Sequence, residues 1–143
     1  MPEYKITVEK EPASEDVRTL AQGLTAHSLP FTRGPGFQPI AVFMRDGQGQ
    51  IVGGVWGYIN WNWLFIGLVW LSDSRRGLGY GKLLIKKIED VAIEEGCRYA
   101  HLDTFSYQAR PFYERLGYEV FGTLDNYPPG HQRFFMKKNF FND

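Results

Sequence analysis

The sequence predicts an α/β (α+β) fold: a mixed, mainly antiparallel central sheet flanked by helices. Three observations carry this. Short strand patterns separated by turn signals crowd the middle of the chain and recur at its end. Two amphipathic helix patterns and a shorter third interrupt them. The apolar run 63–71 passes through a glycine-rich turn directly into a helix, after which the chain returns as a strand.

The elements follow in order. Tyr4, Ile6 and Val8 alternate with Lys5, Thr7 and Glu9, the signature of a half-buried strand. Pro12 breaks it, Ser14 is placed to cap a helix, and Glu15 and Asp16 suit its first-turn dipole. Val17, Leu20, Ala21 and Leu24 then share one helical face. Residues 25–39 carry Pro30, Gly34, Pro35, Gly36 and Pro39 and read mostly as loop, with room for a short helical turn. Residues 40–45 and 51–58 read as strands joined at a turn, 46–50. Gly53 and Gly54 in the second strand, and Gly67 in the third, mark bulges or close packing. Asn60, Trp61 and Asn62 form the next turn, and Trp63–Leu71 is apolar enough for a central strand covered on both faces.

Residues 82–95 form a helix with Leu84, Ile88, Val91 and Ala92 on one face and Glu89 mostly off it; Gly96 ends it. Residues 98–105 return as a strand. Residues 108–116 form a short helix with Pro111 in its first turn, stopped at Gly117. Residues 118–122 and 133–137 close the sheet.

Length and composition bound the function. A chain of 143 residues makes one domain, 1–143, with a real core. Sixteen acidic residues balance sixteen basic ones, so neither a nucleic acid nor a membrane surface is expected as a partner. Cys97 is the only cysteine, which excludes an intrachain disulfide. The first residues lack a basic and an apolar segment of the signal type, and no apolar run reaches about 18 residues, so a cytoplasmic protein is expected.

The functional signal lies between the central strand and the helix after it. A helix N-terminus exposes N–H groups with no intrahelical acceptor and adds partial positive charge. Gly77, Gly79 and Gly81 remove the Cβ atoms that would hold a phosphate away, and Arg75, Arg76 and Lys82 add full charges. A Walker loop is excluded: Leu83 follows Gly81-Lys82 where a hydroxyl residue is needed, and Arg76 stands where its first glycine belongs. That absence also counts against a nucleotide-binding protein that takes ATP. The dinucleotide fingerprint fails at its third position, which is Lys82.

What remains is Arg76-Gly77-Leu78-Gly79-Tyr80-Gly81, an Arg-x-x-Gly-x-Gly loop. It resembles the pyrophosphate loop of the GCN5-related N-acetyltransferases, the GNAT family. Downstream, the run from Ala109 through Tyr113 to Gly117-Tyr118 is similar to that family's Ala-x-x-x-Tyr-x-x-x-Gly-Phe/Tyr element. The two stand in the family's order, and the resemblance covers roughly residues 40–135. It implies a GNAT-like sheet whose parallel central strands, before the loop and after its helix, splay to admit the pantetheine arm of coenzyme A. It implies an N-acetyltransferase moving an acetyl group from acetyl-CoA to a primary amine by direct attack, with no metal. The alternative on the same fold is a non-catalytic acyl-CoA-binding or regulatory module, which would need no proton donor; Tyr113 favours the enzyme.

The resemblance also assigns residues. N–H groups of Gly77, Leu78, Gly79, Tyr80, Gly81 and Lys82, with Arg76, would hold the pyrophosphate. Backbone groups of Val69 and Leu71 would pair with pantetheine, and one of their N–H groups would meet the oxyanion. Tyr113 matches the tyrosine near the CoA sulfur, and an ordinary phenol with pKa ~10 is protonated at neutral pH. Ser106 stands where the family often has an asparagine that contacts the cofactor. The base is open: His101 and Asp103 share a strand face, with Asp103 as the candidate catalytic carboxylate, and a neutral amine would need none. Residues 31–37, 56–63 and 125–133, with Arg33, Asp125, His131 and Arg133, would choose between a small amine and a peptide amine. The aromatic tail Phe134, Phe135, Phe140 and Phe141 suits either the core or a homodimer seal.

Overall fold

The computed structural model describes residues 3–32 and 36–141. The chain divides into two compact units, Met1–Arg33 and Gly34–Asp143.

In the first unit, helix α1 spans Ser14–Ser28 and a single 3-10 turn, Leu29–Phe31, follows. Ala13 occupies the N-cap position and no side chain caps it, so Ser14 is the first helical residue and not the cap. The helix also runs four residues past Leu24, where a loop was expected. Pro30 then accounts for the change of winding, since it sits at the start of the 3-10 turn, where a missing N–H costs nothing. The strand expected over Tyr4, Ile6 and Val8 is absent; all three are exposed. Alternation supplies an apolar face, but a strand also needs a ladder partner, and this unit holds no second strand among its described residues.

The second unit is a six-stranded sheet in the order β1-β2-β3-β4-β6-β5. Its strands are β1 (Gln38–Arg45), β2 (Ile51–Asn60), β3 (Trp63–Leu71), β4 (Tyr99–Phe105), β5 (Glu119–Asp125) and β6 (Gln132–Asn139). Helix α2 (Tyr80–Glu94) joins β3 to β4, and the six-residue α3 (Arg110–Arg115) joins β4 to β5. Every neighbouring pair is antiparallel except β3 and β4, which are parallel.

Beneath α2, Leu84, Ile85, Ile88 and Ala92 pack on Val55, Leu64, Ile66, Ala100, Leu102 and Met136. Glu89 is buried in the same core, against the expectation that it lies off the apolar face. Its carboxylate accepts from Tyr118 Oη at 2.7 Å and from Lys138 Nζ at 3.1 Å, which is how an acid is tolerated there.

Two glycines shape β2 and β3. A Cβ on Gly57 would lie 2.0 Å from the Phe65 carbonyl oxygen, so only glycine allows that approach. Gly67 is the extra residue of a β-bulge: Trp56 pairs with Leu68 and Gly57 with Ile66. Beyond the bulge the central strands part. β3 and β4 pair from Trp63 and Tyr99 only as far as Ile66 and Leu102. Past that point β3 stays with β2 as far as Leu71, and β4 stays with β6 as far as Phe105. Each splayed strand is held by its outer neighbour, so the gap costs only the ladder bonds on the inner edges.

Candidate active site

The gap opens into a cleft of about 790 Å3. Val69 and Leu71 line it from β3, Asp103 and Thr104 from β4, and Phe112 and Tyr113 from α3. Arg76, Gly77, Gly79, Tyr80, Gly81 and Lys82 close one end. Ten of the twelve residues singled out from the sequence therefore converge on one space. Leu78 is not in the lining; its side chain is exposed, and its assigned role was a backbone one. Ser106 is not brought to the cleft either. Its hydroxyl accepts from the Gln132 N–H at 3.0 Å and lies 3.2 Å from His131 Nδ1.

The loop geometry follows from its glycines. Gly77 has φ +76° and Gly79, the N-cap of α2, has φ +86°, in the region that L side chains rarely adopt. This turn aims the chain so that no N–H from Gly77 to Lys82 finds an acceptor among the described residues. No side chain caps the helix and no acidic residue sits in its first turn, so nothing competes for those donors. Gly81 has a different task. A Cβ there would sit 3.3 Å from the Phe112 ring, and its absence lets α3 close against the first turn of α2. Arg76 braces the loop: its Nε donates to the Leu71 carbonyl at 3.1 Å, and its exposed contact with Asp73 at 3.5 Å adds little.

Tyr113 is buried on the cleft wall, held edge-on by Phe112 at 5.1 Å and Tyr118 at 6.0 Å between ring centroids. Burial pushes its phenol up to about 12, so it stays a neutral O–H donor at any physiological pH. α3 is aimed by a turn that the sequence reading missed. Buried Thr104 donates to Gln108 Oε1 at 3.2 Å, and the same oxygen accepts the Phe105 N–H at 3.1 Å.

Asp103 lines the cleft but is engaged. Its Oδ1 accepts from Arg133 Nε at 3.0 Å and Nη2 at 2.8 Å, and the guanidinium lies about 5 Å from the Tyr127 and Phe135 rings. That partner is thirty residues away in sequence, so spacing could not have revealed it. His101, on the same face, is half-buried against Phe65, and burial pulls its imidazole below the ordinary histidine value, partly opposed by Asp103. Arg33, one of the residues expected to help choose the acceptor, lies outside the described residues. Among the described residues no cluster of His, Cys, Asp or Glu is placed to hold a metal, and no helix is long and apolar enough to cross a membrane.

One cleft thus joins a splayed parallel pair, a glycine loop with open donors and a buried tyrosine. Residues 8–118 match the profile of the acetyltransferase (GNAT) family. The chain belongs to that family, and with it to the acetyl-CoA-dependent N-acetyltransferases. It is 39% identical over 91 residues to a blasticidin-S acetyltransferase of Streptomyces morookaense, a match covering 63% of this chain and 67% of that protein. It is 25% identical over 127 residues to an acetyltransferase of Agrobacterium fabrum, covering 89% and 93%. A crystal structure of an acetyltransferase from Bacillus cereus is similar at 28% identity with a TM-score of 0.85, covering 93% of this chain and 97% of that one.

Proposed function

We propose that this chain transfers the acetyl group of acetyl-CoA to the amine of a small molecule by direct attack. The observation that carries the reading is one cleft with unpartnered backbone donors at one end and the Tyr113 hydroxyl on its wall. The N–H groups from Gly77 to Lys82 take the diphosphate, with the α2 dipole and the Lys82 charge adding to the attraction. The unpaired inner edge of β3 takes the pantetheine arm as a strand would, through Val69 and Leu71, and fixes the thioester near the bulge at Gly67. An N–H of Val69 or Leu71 meets the oxyanion as the amine adds to the carbonyl. The family profile spans the division between the two units, which supports reading 1–143 as one catalytic domain.

The magnitudes favour a hydrogen-bonding role for Tyr113. A thiol such as that of CoA has a pKa near ~8.5, so complete transfer from a phenol at about 12 is uphill by roughly 5 kcal/mol. Tyr113 therefore donates a hydrogen bond to the departing sulfur, and the thiolate takes its proton from solvent. Asp103, with Oδ1 held by the Arg133 guanidinium, positions the cleft wall. A small-molecule acceptor is supported by the Streptomyces relative, an acetyltransferase for blasticidin S.

Calorimetry with acetyl-CoA, followed by a free-thiol assay across an amine panel, tests this. Saturable acetyl-CoA binding and amine-dependent thiol release are expected. Binding without release on any amine would identify an acyl-CoA-binding module instead.

A further inference from the structure

The sheet has a second hollow, of about 530 Å3, on the face turned away from α2. Tyr58, Trp61, Trp63, Phe121 and Lys137 wall it, and His101 lies among them. Burial along β4 alternates, with Ala100, Leu102 and Thr104 under the helices and His101 and Asp103 on the other face. This places His101 where the two hollows approach each other. Leu102, the next residue, is the last of β4 to pair with β3 before the strands part. Asp103 already lines the cleft and is two residues on, about 7 Å along the strand.

His101 is also the uncommitted proton acceptor. Neither of its ring nitrogens has a hydrogen-bond partner among the described residues. The rival acceptors are engaged: Asp103 by Arg133, and His131 by Ser106 at 3.2 Å. Rings orient the imidazole, Phe65 at 4.9 Å and Trp63 edge-on at 5.6 Å, while Tyr99 stacks on Trp63 at 4.7 Å. The charged and titratable groups around it are few. Asp103 is on its own strand, Lys137 is its register partner on β6, Glu119 faces Lys137 from β5, and Tyr58 comes from β2. Flat aromatic walls suit a planar ring, and the Lys137 cation at their edge disfavours a protonated amine.

Resting on the acetyl-transfer reading above, we propose that this hollow seats the acceptor, a primary amine carried on a flat ring, and that His101 takes the proton from its attacking nitrogen. The amine lone pair forms the C–N bond, the C–S bond breaks, and the electron pair leaves on sulfur beside Tyr113. The N–H proton passes to the imidazole and then to solvent, from which the thiolate is protonated, so the sum is amide plus free CoA thiol. Burial keeps the imidazole in its neutral, accepting form at pH 7.

The test uses wild type, His101→Gln and Phe121→Ala. Acetyl-CoA affinity is measured by calorimetry, and thiol release is measured with tyramine and benzylamine against butylamine and spermidine. In His101→Gln, kcat on ring amines falls at least about 100-fold while acetyl-CoA affinity is unchanged. The limb of kcat/KM below pH ~6.5 also disappears, leaving only the limb of the amine itself, which wild type shares. In Phe121→Ala, KM rises for ring amines and not for chain amines. Retention of kcat and of the acid limb in His101→Gln overturns the base, and a wild-type preference for chain amines with an unaltered KM in Phe121→Ala overturns the seat. Failure of wild type to bind acetyl-CoA or turn over any amine would look different and would overturn the acetyl-transfer reading itself.

Discussion

The cleft between β3 and β4 and the aromatic hollow beside it are built from different material. The cleft presents backbone: open N–H groups from Gly77 to Lys82 and an unpaired strand edge at Val69 and Leu71. The hollow presents side chains contributed by five strands and a turn. Backbone recognition constrains the local sequence tightly, because only certain residues permit the needed dihedral angles. Side-chain recognition constrains it loosely, because the wall joins residues 58–63 to His101, Phe121 and Lys137 from distant parts of the chain. A donor common to many acetyltransferases suits the first kind of surface, and an acceptor that differs among them suits the second.

Substitutions can separate the two regions from the scaffold that carries both. The largest effect is expected outside either. Glu89→Ala leaves Lys138 and Tyr118 without their shared carboxylate in the core, and about 3 kcal/mol of stability is lost in chemical denaturation. Acetyl-CoA affinity of the molecules that remain folded should not change; a selective loss of affinity would tie this network to the cleft. Next comes Tyr113→Phe, which keeps the ring packing and removes the donor. A fall in kcat of about 100-fold, roughly 2.7 kcal/mol, is expected with acetyl-CoA affinity intact. A loss of affinity with kcat unchanged would mean that the residue serves binding only.

Gly79→Val tests the backbone side. A Cβ there meets no protein atom within 4 Å, so the effect comes from forcing a β-branched residue to φ +86° and from placing side-chain bulk beside the open N–H donors. The dissociation constant for acetyl-CoA should rise about tenfold or more, equivalent to ~1.4 kcal/mol. Unchanged affinity by calorimetry would separate the loop from the diphosphate. Smallest of all, Asp103→Asn should lower kcat by less than about threefold, near 0.7 kcal/mol, since its Oδ1 already belongs to Arg133. A loss as large as that predicted for His101→Gln would return the base role to the carboxylate.

The same division explains what the sequence disclosed. The glycine loop, the Tyr113 element, the bulge at Gly67 and the order of the central elements were legible because each depends on local dihedral angles or short-range periodicity. Trp63–Leu71 has the bounds its apolar run predicts. The missing strand at Tyr4, Ile6 and Val8 shows the limit of periodicity, which names a face but not a partner. Glu89 was misplaced because its neutralising Lys138 lies 49 residues away. Arg133 on Asp103 and Gln108 under Thr104 were hidden for the same reason: side-chain hydrogen bonds across the sheet or a turn leave no periodic trace. His101 carried no sequence signal beyond sharing a face with Asp103; its aromatic surroundings distinguish it.

A crystal structure with coenzyme A bound tests the central claim most directly. The account predicts diphosphate oxygens within hydrogen-bonding distance, about 3 Å, of the N–H groups between Gly77 and Lys82, with the sulfur beside Tyr113 in the gap past Ile66 and Leu102. Diphosphate held elsewhere, or β3 and β4 paired along their full length with the arm excluded, would contradict it.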